Sequence, residues 1–300
     1  MRLKSTIDQW LTLIEIDNAG SIQAAALRLN KSHTTLMYAV RKLEAQMGVN
    51  LLYIEGRKSV LTEHAQTLLR RAKPMIEQAR ELEVISKQLS QGVEAEIIIT
   101  IDHLCCRSWL YQPLQQFLSV NSATSIQIRE TSLTSTKNAV TEKSADIAIV
   151  NIPVANHLAE AFGIVNMVPI VARTHVLASK PKVCNDDLLV ETQIVVRDLG
   201  ADNLNEEENA GWLKAQRRIT VDNFDHAITA VLSGLGFCRV PEHMLEKLDN
   251  KVTALEIQGG SRFQIPVHLV APKEASTGIA AKQLYEILLA DARKRLASAD

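Results

Sequence analysis

The chain has 300 residues, 46% of them hydrophobic and 22% charged, with a formal net charge of −1. That length suggests two or three domains and at least one sizeable core. No apolar stretch approaches the roughly 20 residues that span a bilayer, and Met1-Arg2-Leu3-Lys4 runs straight into an amphipathic pattern, so a cytoplasmic chain without a membrane partner is expected. Four cysteines are too few for a disulfide framework, and reduced thiols are the expected state.

The first predicted helix runs from Thr6 to Asp17, with Ile7, Trp10, Leu11 and Ile14 on one face. A short Ala-rich helix follows Ser21, and a longer one follows Ser32; both serines stand where an N-cap hydroxyl would accept from first-turn N–H groups. In the longer helix Leu36, Val40, Leu43 and Met47 recur at four, three and four, which is one buried face. The opposite face presents Thr34, Met37, Tyr38, Arg41 and Gln46, a set able to touch phosphates and base edges. Asn50-Leu51-Leu52-Tyr53 and Ser59-Val60-Leu61 flank a Gly56-Arg57-Lys58 turn, which reads as a wing with two cations at its tip. Residues 1–73 hold 11 Lys+Arg against 6 Asp+Glu, a net of +5, and the remainder holds 22 against 28, a net of −6. A basic head on an acidic body confines attraction for double-stranded DNA to one end, whatever the overall balance.

Thr62 starts a helix expected to reach about Gln91, where Gly92 ends it. Along it Ala65, Leu68, Ala72, Met75, Ala79, Leu82, Ser86 and Leu89 alternate spacings of three and four, the pattern of a coiled-coil seam. Contact with the chain's own body would give a similar pattern. Pro74 removes one backbone hydrogen bond and should bend the helix. From Glu96 the texture changes. Ile97-Ile98-Ile99-Thr100-Ile101 reads as a strand buried on both faces. A helix (Arg107 to Ser119), a strand (Ser125 to Glu130), a helix (Thr134 to Lys143) and a strand (Asp146 to Val150) follow. Residues 164–178, Ile194 to Val196, Gly236 to Val240 and Val267 to Ala271 read as further strands. Asp222 to Ser233 and Ile279 to Leu296 read as helices, and Asp198 to Gly211 as a polar loop. Alternating strands and helices imply an α/β class with a parallel, doubly wound sheet.

The head resembles the winged helix-turn-helix of the LysR-type transcriptional regulators. Gly20-Ser21, Ala25-Ala26, Leu29, Ser32, Leu36 and Leu43-Glu44 match the family's run, and Gly48-Val49, Leu51-Leu52 and Leu61-Thr62 match its wing, without gaps over about forty-five residues. His33-Thr34, Ile54 and His64-Ala65 depart from the usual glutamine-proline, arginine and alanine-glycine. The body resembles the family's effector domain, two α/β lobes like a periplasmic binding protein, through Ala145-Asp146-Ile147-Ala148-Ile149 and Leu235-Gly236-Phe237 to Pro241. The resemblance implies a DNA-binding domain (1–61), a linker and dimerisation helix (62–92) and an effector domain (93–300). Lobe I would hold about 93–155 and 268–300, and lobe II about 156–267, with crossovers near Asn151 to Phe162 and Gln264 to Pro272. It implies a homodimer or homotetramer on an imperfect palindrome of double-stranded DNA, with RNA polymerase as a further candidate partner.

Candidate DNA-binding residues are therefore Ser32, His33, Thr34, Met37, Tyr38, Arg41, Lys42, Arg57 and Lys58, and candidate seam residues Leu68, Met75, Leu82 and Leu89. Ligands of open α/β sheets sit at the carboxyl ends of strands, which points to Thr100, Asp102, His103, Thr131, Ser132, Asn223 and Phe224 for a small-molecule effector; Arg197-Asp198 marks another such end. Family members often carry Ser or Thr at the first two of these places, holding a carboxylate. Asp102 there would repel one, so a neutral, amphipathic or cationic effector is expected, unless Asp102 caps the next helix. Cys105, Cys106 and Cys238, with His103 nearby, keep open a redox-gated alternative, but no metal-ligand spacing and no cofactor motif appears. No catalytic motif appears either, and Asp146 reads as structural, so no enzyme is expected. The basic head and missing signal peptide argue against a stand-alone solute-binding module.

Overall fold

The structure, a computed structural model, describes residues 3–55, 58–200, 213, 215–248 and 250–298. Most of the predicted loop from Asp198 to Gly211 lies outside these residues, as do Gly56 and Arg57 at the wing tip. The chain divides into two units, Met1–Lys87 and Gln88–Asp300.

In the first unit α1 (Ile7–Ala19) starts at a capping box. The Thr6 hydroxyl accepts from Gln9 N, and the Gln9 side chain accepts from Thr6 N at 2.8 Å. The buried stripe of α1 is Trp10, Leu13 and Ile16, whereas Ile7 is exposed and Leu11 and Ile14 are half-buried. The expected face is thus turned by part of a helical turn, because α1 is apolar over a wide arc and serves two clusters. Trp10 and Leu13 join Leu43, Leu51, Leu61 and Leu69, while Ile16 joins Ile22, Ala25, Leu36 and Val40. Gly20 (φ 69°) turns the chain into α2 (Ile22–Arg28), where the Ser21 hydroxyl accepts from Ala24 N. Ser32 caps α3 (His33–Met47) in the same way through Thr35 N. The wing is β1 (Leu52–Glu55) paired antiparallel with β2 (Lys58–Leu61). It is fastened to α3 by the Glu44 carboxylate, which accepts from Leu51 N at 2.7 Å.

Thr62 caps α4 (Glu63–Ser90), which carries Pro74 and is followed by Gly92 at φ 82°. Ala65, Leu69, Ala72 and Ile76 of α4 are buried in the head's own core, with Leu68 half-buried beside them. Met75, Leu82 and Leu89 are exposed. The predicted seam therefore holds two roles. Ala65 and Ala72 serve the head, and the apolar row from Met75 onward is unburied in a single chain.

The second unit is built on one sheet, with nine strands among the described residues. On one side β3 (Glu96–Asp102) pairs in parallel with β4 (Ser125–Thr131) and β5 (Ile147–Val150). On the other, β7 (Thr192–Val196) pairs in parallel with β8 (Arg217–Val221) and β9 (Phe237–Pro241). The crossovers are two long strands, β6 (Ala159–Ala172) and β11 (Phe263–Val270), antiparallel to one another and to their neighbours; β10 (Val252–Ala254) pairs with β6. The sheet is therefore mixed rather than wholly parallel. The expected crossovers near residues 151–162 and 264–272 fall in part on β6 and β11, whose backbone groups pair with one another within the sheet. Helices α5 (Ser108–Leu118), α6 (Leu133–Thr141), α7 (Asn185–Leu189), α8 (Phe224–Leu232) and α9 (Ile279–Ala297) cover it. Asp146 is structural, its carboxylate accepting from Ile98 N and from Lys273 Nζ at 2.7 Å. No helix among the described residues is long and apolar enough to cross a membrane.

Candidate functional site

The head presents an unburied stripe on α3. His33, Thr34, Tyr38, Arg41 and Lys42 are exposed, Tyr38 at 68%. Lys42 Nζ lies 6.0 Å from the centre of the Tyr38 ring. Lys58 on β2 is exposed as well. The Ser32 hydroxyl is occupied with capping, accepting from Thr35 N and lying 2.8 Å from the Thr34 and Thr35 hydroxyls. Two residues of the expected outward set turn inward. Met37 is half-buried against the Leu36 and Val40 cluster, and Gln46 is half-buried with its Oε1 unpartnered among the described residues. Both sit at the edge between the two helix faces, where spacing alone does not decide the side. Two other basic residues of the head are engaged. Lys31 binds Asp8 at 2.8 Å and Arg28 binds Glu15 at 3.1 Å. Arg57 lies outside the described residues.

In the second unit a cavity of about 150 Å³ opens between the lobes. Lobe I contributes His103, Leu104, Leu133 and Asn151, the crossover strands Met167, Phe263 and Ile265, and lobe II Gln193 to Arg197, Phe224, Cys238 and Arg239. Of the seven predicted effector residues, His103 and Phe224 line it, with ring centres 4.9 Å apart in an edge-on arrangement. The other five do not.

Asp102 is buried and turned into the backbone, accepting from Leu104 N at 3.1 Å and Leu133 N at 2.9 Å. Burial pushes its carboxyl up to about 6, against those hydrogen bonds. Its carboxylate thus ties the end of β3 to the start of α6, and Asp102 does not line the cavity. The expectation of a neutral, amphipathic or cationic effector therefore draws no support from Asp102. Thr100 is buried in β3, and the Thr131 hydroxyl pairs with the Thr136 hydroxyl at 2.8 Å. The Ser132 hydroxyl, fully buried, donates to Asp198 Oδ1 at 3.0 Å and accepts from Leu199 N at 2.7 Å. Asn223 caps α8 through His226 N.

Asp198 crosses from lobe II to the first turn of α6 in lobe I, where it also accepts from Thr134 N at 3.0 Å. Burial alone would raise its carboxyl, but the bonds from Thr134, Gly200 and Ser132 outweigh that and hold it below the usual range. A carboxylate of the chain itself thus occupies the start of α6, where backbone N–H groups favour an anion. Gly200 permits the approach, since a Cβ there would stand 2.3 Å from Ser135 N.

Sequence reasoning missed Arg239 and the role of Asp198. A lone arginine inside the apolar run Phe237-Cys238-Arg239-Val240 was the available signal, because a charge in a buried strand needs a reason. The contact between Asp198 and Ser132 spans 66 residues and left no local trace. The cysteines are free thiols. Burial raises the thiol pKa of Cys105 strongly and that of Cys238 to about 12, so little reactive thiolate forms at either. Among the described residues no group of three or more His, Cys, Asp or Glu could hold a metal ion.

Comparison with known proteins bears on the two units as wholes. The profile of the bacterial regulatory helix-turn-helix protein, lysR family, matches residues 7–66, and that of the LysR substrate binding domain matches residues 90–293. The HTH-type transcriptional regulator AceR of Acinetobacter baumannii is 25% identical, over 94% of this chain and 95% of its own length. YeeY of Escherichia coli, also an HTH-type transcriptional regulator, is 27% identical over 82% of this chain and 80% of its own. The full-length regulator LysG from Corynebacterium glutamicum shares the fold, with a TM-score of 0.51 at 18% identity, covering 96% of this chain and 98% of that one. With family profiles matching both the DNA-binding head and the lobed body, the chain belongs to the LysR-type regulators: it is a DNA-binding transcriptional regulator with an effector-binding domain.

Proposed function

We propose that α3 reads base edges in a major groove through His33, Thr34 and Tyr38, with Arg41, Lys42 and Lys58 on phosphates. The observation that carries this reading is the exposed stripe on α3 beside a wing fastened through Glu44. A second copy pairs along the exposed apolar row Met75, Leu82 and Leu89, with Leu68 at its edge. Two heads related by a two-fold axis read an imperfect palindrome. The effector binds the cavity between the lobes. Its walls come from both lobes and both crossover strands, so a bound molecule that fits one arrangement better than another biases the lobes. The coupling to DNA affinity is on the order of 1–3 kcal/mol.

Selection from a random duplex library with the full-length protein tests this. The expected outcome is an inverted repeat with half-sites about one helical turn, or a multiple of it, apart. Thr34→Ala or Tyr38→Ala relaxes preference at single positions by about 1–3 kcal/mol per lost contact. Lys58→Ala weakens all sequences alike and flattens the salt dependence. An unchanged selected motif with both Thr34→Ala and Tyr38→Ala means that α3 is not the reading element.

A further inference from the structure

The start of α6 is capped unlike the helices of the head. Ser21, Ser32 and Thr62 each turn a hydroxyl onto the first turn of the helix they precede. Ser132 stands at the same position before α6 and makes no such bond. Its hydroxyl, fully buried, is given to lobe II instead: it donates to Asp198 Oδ1 at 3.0 Å and accepts from Leu199 N at 2.7 Å. The first turn of α6 is then served from outside the helix. Asp102 accepts from Leu133 N within lobe I, and Asp198 accepts from Thr134 N out of lobe II.

Three further observations mark this joint. Leu133 has φ 22°, a backbone conformation that leucine rarely adopts and that persists only where the surroundings over-determine it. Here its own N–H is held by one carboxylate and the next by another. The backbone of lobe II also comes as near to α6 as packing allows. A Cβ added at Gly200 would stand 2.3 Å from Ser135 N and 2.8 Å from Ser135 Cα. Finally, Asp198 and Ser132 are both buried, so parting them would strand polar groups that water does not already serve. The joint adjoins the cavity on both sides, since Leu133 from lobe I and Val196 and Arg197 from lobe II line it.

We infer that Asp198 is a latch: seated on Ser132 and the first turn of α6, its carboxylate holds the two lobes in one arrangement by the chain's own groups, and its release lets them move apart. The chain passes between the lobes through β6 and β11, so a side-chain bond between residues 66 apart is a separate tie. The strained start of α6 is the part that relaxes on release, because Leu133 then keeps only the Asp102 anchor. The latch does not depend on what the cavity binds.

Pulsed electron-spin distance measurement on the full-length protein tests this. Spin labels go on Lys137→Cys in lobe I and Lys182→Cys in lobe II, both exposed, in a background carrying Cys106→Ser and Cys184→Ser. Labelled chains are diluted with excess unlabelled chains, so that only pairs within one chain are read. A control pair, Lys137→Cys with Gln115→Cys, lies within lobe I. Asp198→Ala should lengthen the interlobe distance by about 2 Å or more, or broaden its distribution, and leave the control pair as it was. Ser132→Ala and Asp198→Asn should shift it in the same direction by less. Urea unfolding checks that each variant is folded; should Asp198→Ala not fold, Ser132→Ala and Asp198→Asn carry the comparison. An interlobe distribution identical to that of the background in the folded variants overturns the latch. So does an equal change in the control pair, which would mean that α6 moves within lobe I and the lobes do not part.

Discussion

Asp198 joins the segment after β7 to Ser132 and the start of α6, and its removal should be costly. In Asp198→Ala the buried Ser132 hydroxyl loses its acceptor, and Thr134 N and Gly200 N lose theirs. A buried donor left unsatisfied costs about 1–3 kcal/mol. The negative charge at the first turn of α6 contributes about 0.3–2 kcal/mol more. Solvent or a rearranged loop recovers part of this, so a net loss of about 2–4 kcal/mol is expected. For a unit of this size each kcal/mol moves the midpoint by about 2–4 °C, so the effector unit should melt about 10 °C lower. Urea unfolding of wild type, Asp198→Ala, Ser132→Ala and the double variant measures it. The cycle should return a coupling of about 1–2 kcal/mol, since Ser132 and Asp198 share one bond. Asp198→Asn, which keeps an acceptor but not the charge, should lose about half as much. The pH dependence has a fixed sign. The folded carboxyl lies below its unfolded range, so the contribution is present above that range and lost as the pH falls through it. Asp198→Ala within about 0.5 kcal/mol of wild type, or strictly additive with Ser132→Ala, would refute the bridge.

Asp102 should show the opposite sign. Its folded carboxyl is raised to about 6, so the folded state holds the extra proton and stability falls as the pH rises through 6, by on the order of 3 kcal/mol. Asp102→Asn should flatten that slope in urea titrations between pH 4 and 7; an unaltered slope assigns it elsewhere. Gly200→Ala should destabilise the effector unit and disturb the Asp198 bridge, because the new methyl meets the α6 backbone rather than a movable side chain; wild-type urea stability would contradict the close approach. Leu82→Glu should dissociate the dimer in sedimentation and abolish operator binding, since pairing would bury an unpaired charge; a persisting dimer rules out the seam.

The head was legible because its signals are local. Ser21 and Ser32 cap the helices they precede, Gly20 turns the chain from α1 into α2, and Leu36, Val40 and Leu43 form the buried face. The misplaced face of α1 has a physical cause. With Ile7, Trp10, Leu11, Leu13, Ile14 and Ile16 in one helix, period alone admits more than one stripe, and tertiary packing chooses. The edge strand β8 hid behind Arg217-Arg218, which an exposed edge tolerates and an alternation pattern does not reveal. Likewise β6 was read only from residue 164 on, because its first residues are half-buried and mixed in character.

The effector residues illustrate a different limit. Proximity to strand ends located the cleft region, and His103 and Phe224 do line it. Proximity could not tell which way Asp102 points. Read as facing a ligand, Asp102 disfavours acids; turned to Leu104 N and Leu133 N, it says nothing about them. One side-chain direction thus decides whether the acidic residue at the end of β3 counts against an acidic ligand at all. Asp198 makes the point from the other lobe. Its carboxylate is engaged by Ser132 and by the first turn of α6, so a position near a strand end marks a structural bridge there and not a group free to meet a ligand.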